Sequence, residues 1–338
     1  MSKKVSLKDI AEKVGVSVAL VSYVLNNQKE DRISKAVAQK IRDTAKEMNY
    51  RTNQIAKSLK TSKTHTIGLI VSDIANPFSS SLARIIEDEA DRNNYTVIFG
   101  SSDENPQKSW TLIETLLNRQ VDGLIIATAV QTESQIQYLQ QQDVPFVLVD
   151  RYFPGLETSY VVLDNRHAAF MATSHLIGCG YKNIGLITYD TSLFHMQERT
   201  QGYTDALEQY GITVKEQLIQ KAKIEDLTPT VEKAVDILLG MEEPTDAILF
   251  TTNLIALQAV KYINAKRIRI PEELALACFD EVDAMDLFYA PLTYLKQPLQ
   301  QMGRSATQIL LKSMDGDKSV TQLKMEAELI IRASTRKV

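Results

Sequence analysis

Near the start of the chain, Val18, Ala19, Ser22 and Tyr23 project from what the sequence predicts to be a short helix, away from an inward set of Val21, Val24 and Leu25. Held on the second helix of a helix-turn-helix, such positions meet base edges in the major groove of DNA. On an ordinary helical hairpin they would be plain surface. The choice between the two rests on what positions them. Ser6 and Asp9 have the S-x-x-D spacing of a capping box, which starts a first helix. Ile10, Ala11 and Val14 then recur at helical spacing, Gly15 suits the left-handed residue that ends a helix, and Val16 fills the turn. Ser17 caps the second helix. After the polar run that begins at Asn26, Ser34 caps a third, whose stripe of Val37, Ile41, Ala45 and Met48 closes a three-helix core and whose end falls at Asn49.

Charge sharpens the choice. The 338 residues carry a net charge of −4, unevenly distributed. Residues 1–64 hold 14 Lys and Arg against 6 Asp and Glu, a net of +8; the remaining 24 against 36 leave −12 on the rest. A basic head on an acidic body suits a head that meets phosphate. No apolar signal segment precedes the capped helix, since Lys3, Lys4 and Lys8 lead into it, and no apolar run is long enough to span a membrane, so a cytoplasmic protein is expected. Cys179 and Cys278 are isolated, and His65, His167, His175 and His195 lack metal-ligand spacing.

Residues 51–63 are polar and basic, with a short helical pattern in QIAKSLK that Asn53 can cap. About two turns are below the length stable in water, so this segment needs a partner or ligand to form, as a hinge does. From residue 66 onward, apolar strands alternate with amphipathic helices. Strands are predicted at 66–73, in YTVIFGS, VDGLIIA, PFVLVD, YVVLD, NIGLITY, DAILFTT and LALACFD, and in MEAELIIR near the end. Helices fall at 78–92, through 112–117, and at 136–142, 168–177, 198–210, 231–239, 254–264 and 302–314. Continuous apolar strands of this kind are buried on both faces in parallel sheets. Two successive α/β units imply two lobes, with ligand bound beyond the strands' carboxyl ends in the cleft between them.

Together these motifs resemble the LacI/GalR family of bacterial transcriptional regulators over nearly the whole chain. The matching pieces are SLKDIAEKVGVS, VSYVLN, IRDTAKEMNYRTNQIAKSL, IGLIVSDIANPF, VDGLII, LVDR, HLIGCGYKNIGLI, RTQGY, the TTN after DAILF, FDE and PLTYLKQP. The resemblance implies an all-α helix-turn-helix head (1–50), a hinge helix and linker (51–63) and a two-lobed, periplasmic-binding-protein-like α/β body with parallel sheets (64–338). Its N-lobe would span about 64–163 plus 298–324, and its C-lobe about 164–297 plus 325–338. It further implies a homodimer on a pseudo-palindromic, double-stranded operator, a repressor controlled by a small molecule, no cofactor and no enzymatic activity.

Carried over by position, the resemblance assigns base reading to Val18, Ala19 and Tyr23 and phosphate contact to Ser22 and Asn26. It adds Ser6, Ser17, Tyr50 and Asn53 to the DNA-binding set. Ala56 matches the small residue at which two hinge helices pack, and Leu59 the wedge inserted into the minor groove. Val18 and Ala19 can contact only apolar groups such as thymine methyls, and Tyr23 replaces a more usual Arg or His, so the operator half-site differs from familiar ones. Thr52 stands where Pro is common, and the loop over residues 26–34 is longer than in many relatives. In the cleft, the resemblance assigns effector contact to Asp73, Asn76, Phe78, Asp150, Arg151, Arg199, Asn253 and Asp280. These types suit a sugar or sugar derivative, with a purine-type or protein co-repressor as the alternative. Cys278 replaces a usual Gly, and Leu254 a usual Asp.

A nucleotide-dependent enzyme is disfavoured, because no phosphate-binding glycine motif is present and the one G-x-G, at Gly178 and Gly180, follows a helix. No nucleophile elbow is present either. An exported sugar-binding protein without a DNA function is disfavoured by the basic head and the missing signal segment.

Overall fold

The computed structural model describes residues 5–26, 32–50 and 63–336. The chain divides into two units, residues 1–64 and 65–338.

In the first unit, helix α1 spans Leu7–Val14, α2 Val18–Leu25 and α3 Lys35–Glu47. The capping box forms: Ser6 Oγ accepts from Asp9 N, and Ser6 N donates to Asp9 Oδ2 at 2.7 Å. Gly15 ends α1 at φ +80°, in the left-handed region. Ser17 and Ser34 accept from Leu20 N and Val37 N, each satisfying a backbone donor at its helix start. Asn49, at φ +50°, turns the chain after α3. Ile10, Ala11, Val21, Val24, Ile41 and Ala45 form the buried core, with Val14, Leu25, Val37, Met48 and Tyr50 packed around it. Each fully buried Ile or Val contributes roughly 1.5–3 kcal/mol.

The second unit contains two sheets with the same strand order. The first is built from β1 (Thr66–Val71), β2 (Thr96–Ser101), β3 (Gly123–Ile126), β4 (Phe146–Val149), β5 (Tyr160–Leu163) and a late strand, Gln322–Met325. The second is built from β6 (Ile184–Tyr189), β7 (Ile219–Ala222), β8 (Ala247–Phe250), β9 (Ala275–Phe279), β10 (Thr293–Lys296) and Glu328–Ile330. Numbering the late strands β11 and β12, the orders are β11-β5-β4-β3-β1-β2 and β12-β10-β9-β8-β6-β7. Every pairing is parallel except β10 with β12. Helices α4 (Pro77–Arg92), α5 (Pro106–Asn118), α6 (Glu133–Gln141) and a late helix, Leu299–Met314, cover the first sheet. Helices α7 (Asn165–Gly178), α8 (Phe194–Gln209), α9 (Leu227–Leu239) and α10 (Asn253–Ala265) cover the second, and the late helix is α11.

The chain crosses between the sheets three times: between β5 and α7, between β10 and α11, and between β11 and β12. The last crossing corrects the reading of MEAELIIR as one strand. Met325 closes β11 in the first sheet and Glu328 opens β12 in the second, a distinction that local apolar pattern cannot make. β2 departs from two-sided burial, because it is an edge strand with Ile98 and Phe99 37% and 59% exposed. β7 and β10 were not anticipated as strands; IQKA is too polar to stand out. Among the described residues, no helix is long and apolar enough to cross a membrane.

Candidate functional site

In the head, Val18 and Ala19 are exposed at the start of α2, and Ser22 and Tyr23 are half-buried. Ser6 and Ser17 are exposed at the starts of α1 and α2, with their hydroxyls engaged as caps. Asn26 closes α2 and donates from Nδ2 to Ser22 O at 2.8 Å. Tyr50 packs on the head's core, and its N–H donates to Ala45 O at 2.8 Å. The hinge positions Asn53, Ala56 and Leu59 lie outside the described residues.

In the second unit, a cleft of about 610 Å³, open to solvent, lies between the lobes at the carboxyl ends of the strands. Asp73, Asn76, Phe78, Asp150, Arg151, Arg199 and Asp280 all line it. Asn253 sits just behind. Its Nδ2 donates to Asn76 Oδ1 at 2.9 Å, linking the start of α10 in one lobe to the start of α4 in the other. Asn76 Oδ1 also caps α4 by accepting from Phe78 N at 3.0 Å.

Asp150 and Asp280 occupy equivalent places. Each follows a central strand, donates its N–H to the neighbouring strand (Val161 O and Leu295 O, both at 3.0 Å) and takes a left-handed backbone, at φ +68° and +73°. Asp tolerates that region better than most side chains, and the turn aims its carboxylate into the cleft. Burial raises the pKa of both, against the pull of Arg151 and Arg199 on Asp150 and of Arg199 on Asp280.

Arg151 is held within its own lobe. It binds Glu104 with both ends of its fork (2.8 and 2.6 Å), Thr128 O at 3.1 Å and Asp150 Oδ2 at 3.2 Å. Burial opposes its charge, but Glu104 and Asp150 outweigh burial and raise its pKa. Only one of its five N–H donors is left without one of these partners, so it orients Asp150 more than it reaches for a ligand. Arg199 rises from α8, with Nε on Asn165 Oδ1 at 2.8 Å, Nη1 on Thr251 O, and its guanidinium stacked 4.0 Å over the Phe279 ring. Gly202, one turn further along α8, permits this: a Cβ there would run into the carbonyl oxygen of Arg166 on α7.

Several lining residues carry no signal in the sequence, Glu104, His195 and Gln297 the most polar among them. Glu104 had no local signal. His195 lacks metal-ligand spacing and has no other local signal. Gln297 belongs to the PLTYLKQP motif, but its side chain was not singled out. His195 is buried, and burial, then Arg151 and Arg199, push its pKa well down, so the imidazole is neutral. Gln297 Nε2 donates to Asp280 Oδ1 at 2.6 Å. His195 Nδ1, Gln297 Oε1 and Asn253 Oδ1 are buried without a hydrogen-bond partner. Such atoms are costly unless something binds them. Among the described residues, no three His, Cys, Asp or Glu side chains gather as metal ligands.

The lobes also touch beside the cleft. Tyr152 meets Phe194 edge-on at 5.4 Å, and Lys324 of β11 pairs with Glu198 of α8 at 3.3 Å.

Comparison with known proteins matches both units. A family model described as bacterial regulatory proteins, lacI family, matches residues 6–53. A second, described as periplasmic binding proteins and sugar binding domain of LacI family, matches residues 64–333. The HTH-type transcriptional repressor CytR of Escherichia coli (strain K12) is 33% identical over 335 residues, covering 98% of this chain and 96% of that protein. Among solved structures, the lac repressor dimer bound to operator and the anti-inducer ONPF gives a TM-score of 0.87 at 22% identity, over 99% of this chain and 100% of that one. At that identity the likeness establishes the fold alone. A complex of the transcriptional regulator CelR with cellobiose gives 0.73 at 25% identity, over 98% and 100%.

Proposed function

The chain belongs to the LacI family of bacterial regulatory proteins, and from that premise we propose that it is a homodimeric repressor whose grip on a pseudo-palindromic operator is set by a sugar or sugar derivative bound between the lobes. The observation that carries the effector half of this reading is the cleft itself, where three buried polar atoms of the C-lobe, His195 Nδ1, Asn253 Oδ1 and Gln297 Oε1, lack a partner. The CelR–cellobiose complex, whose fold this chain shares, supports a carbohydrate. The DNA half is supported by α2, capped at its start and presenting Val18 and Ala19 to solvent, in a head of net charge +8. Ile98 and Phe99, exposed on the edge strand β2, support a subunit interface on the N-lobe.

The mechanism is a coupling between cleft and operator. Three chain crossings let one lobe turn on the other, and a ligand held by Asp73 and Asn76 on one side and by Arg199, Asn253 and Asp280 on the other favours one lobe arrangement. The two N-lobes of the dimer shift with it, and the hinge segments carrying Asn53, Ala56 and Leu59 gain or lose their mutual packing. Ligand therefore changes operator affinity only as far as it prefers one arrangement.

The test is a gel-shift titration of operator DNA, selected by the protein itself, with a sugar identified by thermal stabilisation. Arg199→Ala is expected to abolish the ligand response while operator affinity without ligand stays within about twofold of wild type. An unchanged response would overturn the assignment of Arg199. DNA affinity should also fall steeply with salt, as phosphate contacts release counterions.

A further inference from the structure

The chemistry of the cleft walls restricts what can bind there more tightly than a sugar as such. Four carboxylates line the cleft, Asp73, Glu104, Asp150 and Asp280, against two guanidiniums, Arg151 and Arg199, and no lysine. The two guanidiniums are matched to different degrees, Arg151 by ion pairs and Arg199 only by carboxylates at longer range. Arg151 is forked onto Glu104 and touches Asp150, and Arg199 faces Asp280 and Asp150 while bound to Asn165 and Thr251 O. The two helix starts beside Asn76 and Thr252 are capped by those side chains, from Phe78 N and Ile255 N, so they present less free N–H to an anion.

The unpartnered atoms have a matching bias. Gln297 turns its Nε2 to the Asp280 carboxylate, which fixes its Oε1 as the free atom. Asn76 Oδ1 accepts from a backbone N–H, so the Asn253 group that meets it is the amino group, and Asn253 Oδ1 is left free. Both of these atoms are acceptors and need an O–H or N–H donor, while the third unpartnered atom, His195 Nδ1, donates or accepts according to its tautomer. A phosphate dianion or a carboxylate has none to offer.

Building on the reading of the cleft as the effector site, we propose that the effector is an uncharged, hydroxyl-donating molecule and that the cleft rejects its phosphorylated and carboxylated counterparts. An anion placed there would find one cation, Arg199, with N–H donors to spare, set against four carboxylates and the free acceptor atoms, so repulsion outweighs attraction. The protein would respond to a free sugar and ignore the same sugar after phosphorylation.

The test is the melting temperature of the full chain, at matched ionic strength, with D-ribose and ribose 5-phosphate, D-glucose and glucose 6-phosphate, gluconate, and inorganic phosphate. The uncharged member of at least one pair is expected to raise Tm by about 5 °C at a hundredfold excess over Kd, and its ester to leave it unchanged. Saturable stabilisation by an ester, gluconate or inorganic phosphate that disappears in Arg199→Ala would overturn the proposal. Asp280→Asn, which leaves Arg199 less matched, is expected to acquire stabilisation by inorganic phosphate; a folded variant that does not counts against charge matching. Operator binding in the same titrations separates the two readings. A neutral sugar that binds without changing DNA affinity defeats the effector role of the cleft and leaves the charge rule standing.

Discussion

In the N-lobe the strand-end carboxylate, Asp150, lies against Arg151, which Glu104 holds from the other side; in the C-lobe its counterpart, Asp280, meets a glutamine, and its arginine comes from helix α8. Sheet order, strand-end position and left-handed backbone are the same in both lobes. The difference teaches that duplicated topology fixes where a carboxylate stands but not what it is free to do. The N-lobe triad satisfies itself, so it stiffens its wall. The C-lobe set of Asp280, Gln297 and Arg199 leaves acceptor capacity facing the cleft, and it is the wall better able to sense a ligand.

The sharpest way to break this comparison is to remove each arginine in turn. Arg151→Ala leaves Glu104 and Asp150 facing each other without a counter-charge, in a site where Arg151 is only 11% exposed. Loss of one partner of a buried ionic set costs about 3–5 kcal/mol, and urea unfolding at pH 7 should read a loss of that size. Part of it should return as pH falls and Asp150, whose pKa burial already raises and which has lost Arg151, takes up a proton. Arg199→Ala should cost less, because Asp280 keeps its hydrogen bond from Gln297. The opposite ranking would mean that the C-lobe set, not the N-lobe triad, is the structural one.

How much of this was legible beforehand follows from the range of the interactions. The helix-turn-helix was, because Ser6 with Asp9, Gly15, Ser17 and Ser34 act within four residues of their partners. The central strands were, because burial on both faces leaves them apolar throughout. The strand Gln322–Met325 was not: the resemblance implies a change of lobe near residue 325, but the polar QLKM gives no sign of a strand ending there. Asp73, Asn76, Phe78, Asp150, Arg151, Arg199 and Asp280 were found through family resemblance and do line one cleft. That Arg151 is committed to a glutamate 47 positions away was not legible, and neither was the orientation of Gln297. Both depend on packing between elements that no local pattern records.

A subtler change tests whether the C-lobe wall is set by helix packing. Gly202→Ala places a methyl group where the Arg166 carbonyl stands, so α8 must move off α7. Overpacking of this kind costs roughly 1–3 kcal/mol. Since Arg199 lies three residues earlier on the same helix, its 2.8 Å bond to Asn165 should loosen with it. The expected result is a modest fall in stability with a disproportionate loss of ligand affinity, read by calorimetry. A loss of stability with unchanged ligand affinity would show that Arg199 holds its place independently of Gly202.

The smallest effect concerns the Lys324–Glu198 pair, one of the contacts that join the lobes beside the cleft. Glu198 on α8 is largely buried, and that burial raises its pKa; Lys324 across the interface lowers it, Asp164 raises it and Arg166 lowers it, with burial prevailing. Its Oε2 has no partner. A carboxylic acid whose pKa is higher in the folded than in the unfolded state binds its proton more readily when folded. Its contribution is therefore fully present below the ordinary glutamate range, near pH 4, and fades as pH rises through the raised folded value. At neutral pH the ionised Glu198 is thus a net burden on the folded body despite its lysine. Glu198→Gln, which keeps the shape and removes the titration, is expected to raise Tm slightly at pH 7 and to lose that advantage as pH falls towards 4. A variant less stable than wild type at pH 7 would mean that the pairing with Lys324 outweighs burial, and that the two lobes are held together here by charge.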